Sequence, residues 1–183
     1  KEYSRKYSLS YVDIREYDYD DKYRMTVAAL KNRVDILVQP MLVSYSCPAY
    51  GVADLVIKRK YMYLVDHKRL PFELSTKCSL DCTETDHGED YCIVEIKRTV
   101  IHVNSEHVIL NSNFASFEGQ AHVYAVALLD MLEILSIKYS GKCTRLYWPS
   151  TYIYVRDIIS AYTKIKYCPF IEVQHEKIHM KVM

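Results

Sequence analysis

Tyr91-Cys92-Ile93-Val94-Glu95-Ile96-Lys97-Arg98-Thr99 is the stretch on which the reading of this chain turns. Cys92, Ile93, Val94 and Ile96 are apolar and mostly β-branched, so the segment reads as a buried β-strand that ends on charge. Side chains alternate across a strand. Glu95 and Lys97 therefore share one face, and Val94 and Ile96 the other. A carboxylate and an ammonium at the end of so apolar a strand are costly to desolvate unless they pair or bind a metal. The plainer alternative is a surface salt bridge where the strand emerges.

Working outward, Gly51-Val52-Ala53-Asp54-Leu55-Val56-Ile57 is a second apolar strand with one acid in its middle. A lone Asp in such a run is disfavoured by strand propensity and by burial. Placed beside Glu95, it makes a carboxylate pair. Such a pair repels, raises one pKa or binds a divalent cation. Hard oxygen ligands with open water positions suit Mg²⁺ or Mn²⁺. Lys97 next to that ion is suited to orienting a water and offsetting phosphate charge.

Phe114 to Lys138 is the clearest helix. Phe117, Ala121, Tyr124, Leu128, Met131, Leu132 and Leu135 recur at helical spacing, with no proline between them. Gln120 lies on the same stripe, where a buried amide needs partners. It is either a core Gln bonded to backbone or a side chain presented to the carboxylates or to a nucleic-acid backbone.

A strand with Asp, a strand ending in Glu-x-Lys, then a helix with Gln-x-x-x-Tyr resembles the PD-(D/E)XK nuclease superfamily. It looks closest to the RecB-like branch and the archaeal Holliday-junction resolvases. The likeness runs from about Tyr50 to Asp130. It implies an α/β (α+β) fold with a restriction-endonuclease-like αβββαβ core, a mixed central sheet flanked by helices. It also implies an endonuclease or exonuclease that hydrolyses phosphodiester bonds with Mg²⁺ or Mn²⁺. Carried over, Asp54, Glu95 and the Ile96 carbonyl would hold the metal, Lys97 would align the attacking water, and Gln120 would support the site. DNA, branched or junction DNA included, is the implied partner, and a homodimer the implied assembly.

The pattern has departures. Ala53, not proline, precedes Asp54, and the spacing from Asp54 to Glu95 is long for the family. Met62-Tyr63-Leu64-Val65-Asp66-His67-Lys68 offers a rival set, Asp66 and Lys68, at the more usual spacing. It runs into Arg69-Leu70-Pro71 and a polar loop rather than a helix, so Glu95 and Lys97 are preferred. Asp66 remains open as an extra acid beside the same ion. Glu16, Asp18 or Asp20 could add another from an N-terminal helix.

The chain has 183 residues and a formal net charge of +1, so it lacks the strong basic signature of many nucleic-acid binders. Local basic clusters, Lys58-Arg59-Lys60 and Lys68-Arg69, are the alternative source of phosphate contacts, or else solvated hairpin tips. Eighteen tyrosines are available for core, interface or base stacking. Near-neutral charge keeps a second class open, a non-catalytic nucleic-acid- or protein-binding module on the same fold. The third is a different phosphoryl enzyme, or an α/β protein with a Glu–Lys salt bridge.

Six cysteines include no Cys-x-x-Cys, and the histidines are not at zinc spacing. Their distribution does not match the iron–sulfur subgroup of RecB-like nucleases. Cys78 and Cys82 share one polar loop and are candidates for a disulfide. No signal peptide, transmembrane run or lipidation motif is visible, so no membrane partner is expected. In its tyrosine content the chain resembles small proteins of viruses of hot-acid archaea, spindle-shaped viruses among them. An intracellular location, the host cytoplasm, is expected with that.

One domain over residues 1–183 is expected. Residues 1–19 read as an arm or short helix, followed by a helix from Asp20 or Asp21 to about Asp35. A strand over 36–45, broken at Pro40, precedes a hairpin of strands 51–58 and 61–67 turning at Arg59-Lys60. Residues 69–90 read as a loop insertion. Strand 91–99 continues to Val103 or forms a hairpin with 107–110, and Asn111-Ser112-Asn113 caps the long helix, which Gly141 ends. A short strand at 146–148, a helix over 151–166 with Val155, Ile158, Ile159 and Tyr162 inward, and a strand over 170–182 complete the chain.

Overall fold

A computed structural model describes residues 8–64, 90–106, 108–135, 149, 151–167 and 170–173. The elements are β1 (Tyr11–Asp13), α1 (Tyr19–Lys31), β2 (Ile36–Val38), β3 (Met41–Ser44), β4 (Ala49–Val52), β5 (Leu55–Lys58), β6 (Tyr91–Val103), α2 (Phe114–Ile134), β7 (Thr151–Ser160), β8 (Lys166–Tyr167) and β9 (Phe170–Glu172). A 3-10 helix, Arg59–Leu64, follows β5.

The described residues are mixed α+β, with two α-helices and a mixed central sheet. Its strands run in the order β1-β2-β5-β6-β7, with β8 and β9 both pairing with β7. The β2–β5 and β5–β6 pairs are antiparallel, and β6–β7 is parallel. β6 is 13 residues long and lies between β5 and β7. Its β-branched run is buried continuously from Tyr91 to Glu95, as a central strand requires.

β2 to β5 form one long hairpin bent in the middle. Proline has no N–H for the ladder, and Pro40 sits at the bend, after Gln39 with φ 51°. Across the bend the Gln39 N–H donates to the Asp54 carbonyl (3.0 Å) and the Ala53 N–H to the Pro40 carbonyl (3.2 Å). The root, β2–β5, joins the central sheet. The tip, β3–β4, forms a separate two-stranded sheet that packs against both helices.

Leu37, Val56 and Ile93 are register partners and lie on one sheet face. They share a core with Ala29 and Leu30 of α1, Leu42 of β3 and Ala125, Leu128, Met131 and Leu132 of α2. Both helices thus cover the same face, where helices on either side of the sheet were expected. The other face, with Ile57, Cys92, Val94 and Tyr152, is packed by Met62 and Tyr61 of the 3-10 helix.

Four expectations need correction. Residues 59–64 form a 3-10 helix rather than entering a strand, because β6 takes the edge of β5 that a hairpin partner would have used. Residues 151–160 form strand β7, not a helix. Tyr-Ile-Tyr-Val and Ile-Ile are β-branched and aromatic, and pairing with β6 satisfies a preference that the helical spacing concealed. Tyr11–Asp13 is a short edge strand parallel to β2, where an arm or a short helix was expected. Lys58 and Arg59 are buried, each 6% exposed, and Lys58 pairs with Asp35 at 2.9 Å, so neither belongs to a solvated basic tip.

Helix α1 begins at Tyr19, with the Asp18 carboxylate capping the Asp21 N–H at 2.9 Å. Helix α2 begins after Asn113, whose side chain makes no cap bond. Asn111 ties to β6 instead, accepting from the His102 N–H (2.7 Å) and donating to the Val100 carbonyl (3.1 Å). The expected features at 1–7, 65–89, 136–148 and 174–183 lie outside the described residues, as do Cys78 and Cys82.

Candidate functional site

The bend in the hairpin decides where Asp54 goes. The β5–β6 ladder ends at the Leu55–Val94 pair. One step beyond, the Ile96 N–H donates to Asp54 Oδ2 at 2.7 Å. A side-chain oxygen thus takes a place that a backbone carbonyl would hold in a straight strand, as short Asp side chains can. This accounts for an acid within an otherwise β-branched run. The Asp54 N–H in turn points to Glu95 Oε2 at 3.4 Å. Asp54 Oδ1 accepts no hydrogen bond among the described residues.

Glu95 and Lys97 emerge from β6 on the helix-covered face. Lys97 Nζ donates to Glu95 Oε1 at 2.7 Å and to Gln120 Oε1 at 2.7 Å. It also sits 5.2 Å from the centroid of the Phe117 ring, a cation–π contact. Gln120 Nε2 donates to the Tyr124 hydroxyl (2.8 Å), which donates to the Val52 carbonyl (2.9 Å). A polar relay therefore runs from the Glu95 carboxylate on β6, through α2, back to the end of β4. Phe117, Gln120 and Tyr124 meet it together because residues three and four apart share a helix face.

Gly51 makes room for that relay. A Cβ there would lie 2.5 Å from Tyr124 Cε1. Its φ is not positive, so the requirement is close approach rather than turn geometry. The sequence marked Gly51 only as the start of a strand. The residue had a signal, a glycine inside a strand pattern, which commonly means a near neighbour.

The Glu95 side chain is 5% exposed and that of Lys97 is 20% exposed. Burial pushes the Glu95 carboxyl above the usual carboxylate range, the Lys97 hydrogen bond pulls it down, and the Asp54 charge pushes it up again. The net direction is upward. Burial also raises the Tyr124 hydroxyl, against the Gln120 hydrogen bond and with the charges of Glu95 and Asp54. The upward direction leaves the phenol as the donor to the Val52 carbonyl.

Asp54, Glu95, Lys97 and Gln120 are therefore brought together from three parts of the chain. Asp66 and Lys68 lie outside the described residues. Glu16, Asp18 and Asp20 do not join the pair. Among the described residues no group of three or more His, Cys, Asp or Glu could hold a metal ion, and Asp18 is engaged as a helix cap. A pair of carboxylates still fits Mg²⁺. That ion typically takes one or two carboxylates and keeps waters and substrate phosphate oxygens in its other positions. The unengaged Asp54 Oδ1 and the weakly engaged Glu95 Oε2 are oxygens of the required hard type.

No helix among the described residues is long and apolar enough to cross a membrane. No family model matches the chain, and no curated protein or solved structure is significantly similar to it.

Proposed function

We propose that the protein is a nuclease of the PD-(D/E)XK type that hydrolyses phosphodiester bonds in DNA with Mg²⁺ or Mn²⁺. The observation that carries this reading is the convergence of Asp54, Glu95, Lys97 and Gln120 in one hydrogen-bonded cluster. The order α1, hairpin, β6, α2, β7, with β6 parallel to β7, supports a restriction-endonuclease-like αβββαβ core.

Asp54 and Glu95 are the residues that would hold the ion, with Ile96 between Glu95 and Lys97 as its third, carbonyl ligand. A divalent cation held by these residues would supply Lewis-acid chemistry at the phosphate and would make a nearby water more acidic. Lys97 holds the water in line with the phosphorus and offsets charge that develops on the phosphate. Gln120 fixes the Lys97 ammonium, and Tyr124 fixes Gln120. Cutting two strands symmetrically calls for a two-fold dimer.

The test incubates the full chain with supercoiled plasmid, single strands and a four-way junction, in Mn²⁺ or in EDTA. Mn²⁺-dependent cutting, lost in Glu95→Gln with the fold intact, is the expected result. No cutting of any substrate by the wild-type chain overturns the proposal.

One observation favours a second reading. Lys97 already neutralises Glu95 at 2.7 Å, so the cluster is stable without an ion. On that reading the protein is a non-catalytic binding module, and binding without cutting is its signature.

A further inference from the structure

Four tyrosines gather where α1 meets the tip of the bent hairpin. Tyr19 and Tyr23, one helical turn apart on α1, face Tyr50 on β4 and Tyr45 in the turn after β3. The Tyr19 and Tyr50 rings are perpendicular, with centroids 6.0 Å apart. The hydroxyls of Tyr23 and Tyr45 hydrogen-bond to each other, which pushes the Tyr45 hydroxyl up to about 12. Tyr19, Tyr45 and Tyr50 remain 56%, 51% and 64% exposed. Three large rings left in water at one place is an arrangement that calls for a ligand rather than a core.

The position of the group says which ligand. Tyr50 is joined directly to Gly51, whose backbone touches the Tyr124 ring, and Val52 accepts the Tyr124 hydroxyl. Tyr19 is near enough to Tyr124 for its charge to act on that hydroxyl, so the rings lie in the neighbourhood of the Lys97–Gln120–Tyr124 relay. In an edge-to-face pair each ring keeps a face that its partner does not cover, and a planar base can stack there. Charge leaves stacking, not phosphate contact, as what this patch can offer a strand. The first turn of α1 carries Asp20 and Asp21. Arg15 is paired with Asp13 and Arg24 with Asp21. Phosphates gain little here, whereas stacking needs no net positive charge.

We infer that Tyr19 and Tyr50 form a stacking platform for unpaired bases, so that the substrate is single-stranded DNA or a junction with unpaired nucleotides rather than plain duplex. This rests on the nuclease reading for its substrate, but its test does not need cleavage.

The experiment measures binding of the full chain in EDTA to a labelled oligo(dT) of roughly 12 nucleotides and to a duplex of equal length, by fluorescence anisotropy. Tyr50→Ala and Tyr19→Ala should each weaken oligo(dT) binding about five- to a hundredfold and leave duplex binding unchanged. Tyr50→Phe, which keeps the ring, should stay within about twofold of wild type. Both sites are exposed, and equal urea midpoints verify the fold. Ala variants that bind oligo(dT) like wild type, or that lose single strand and duplex alike, overturn the inference. A chain that shows the tyrosine effect yet never cuts keeps the platform and loses the nuclease reading. A chain that cuts in Mn²⁺ with both Ala variants unaffected does the reverse.

Discussion

Gln120 accepts a hydrogen bond from Lys97 at 2.7 Å, and this one contact ties the long helix to the charged end of the central strand. It also settles how Lys97 is aimed, because the ammonium is held from two sides, by an amide oxygen and by a carboxylate. Replacing Gln120 with Leu frees one side. Expected outcomes are a loss of about 1.5 to 3 kcal/mol in stability, the range for hydrogen bonds to charged groups, and about 10- to 100-fold in turnover, as for supporting shells of metal sites. Urea titration and cleavage kinetics check the two separately. Gln120→Glu, which keeps an acceptor, should recover stability better than Gln120→Leu.

Glu95 makes stability depend on pH in an unusual direction. Its folded carboxyl titrates above the ordinary glutamate value of 4.5, chiefly through burial. The folded state then binds the proton more tightly than the unfolded chain. Glu95 thus contributes stability that is complete below the unfolded value and is lost as pH rises through the folded value. Urea midpoints of the wild type should fall across that window relative to Glu95→Gln. Parallel curves for the two proteins would contradict the assignment.

In acid the signs reverse at Asp35 and Asp130. Burial pushes each carboxyl up, but hydrogen bonds outweigh it and leave both below the usual range. For Asp35 these come from Lys58 and Ser10. For Asp130 they come from Ser44, Tyr45 and Ser46, all to Oδ2 at 2.7 to 2.9 Å. Their stabilisation is present above the unfolded value and lost as pH falls through the folded one. Asp130→Ala releases the hairpin tip from α2, at a cost of about 1.5 to 3 kcal/mol. Its acid-unfolding curve should be shallower than that of the wild type.

Gly51→Ala should destabilise by about 1 to 3 kcal/mol, the range for overpacking, because the new methyl group displaces the Tyr124 ring. Moving that ring also loosens Gln120, and for the proposed nuclease the expected outcome is lower turnover. In a double-mutant cycle, truncating Tyr124 to Ala removes the clash, so Gly51→Ala should cost less in that background. Additive effects would mean that the two residues do not touch.

Parts of this arrangement were legible in the sequence, and the reasons differ by residue. Glu95 and Lys97 could be placed on one face because strand alternation is strict, and Gln120 on the inner stripe because α2 has a long, uninterrupted period. The convergence of Asp54 with Glu95 could be suspected from an acid in an apolar strand. The break at Pro40 was legible too, but not that the bend there lets the Asp54 side chain replace a ladder carbonyl. Residues 151–160 misled, since Val155, Ile158 and Ile159 fit a helical stripe and a buried strand equally well. Only the partner, β6, decides between them, and pairing is not local information. Lys58 looked solvated because its neighbours are basic, while the Asp35 carboxylate that buries it lies on the other side of the hairpin.

The claim on which most depends is that Asp54 and Glu95 together hold a divalent cation. Calorimetric titration of Mn²⁺ into the full chain tests it without any substrate. The account predicts saturable binding by the wild-type chain near neutral pH, abolished in both Asp54→Asn and Glu95→Gln, with the folds of both variants intact. Mn²⁺ binding that survives both substitutions, or no binding by the wild type at millimolar ion, would contradict it.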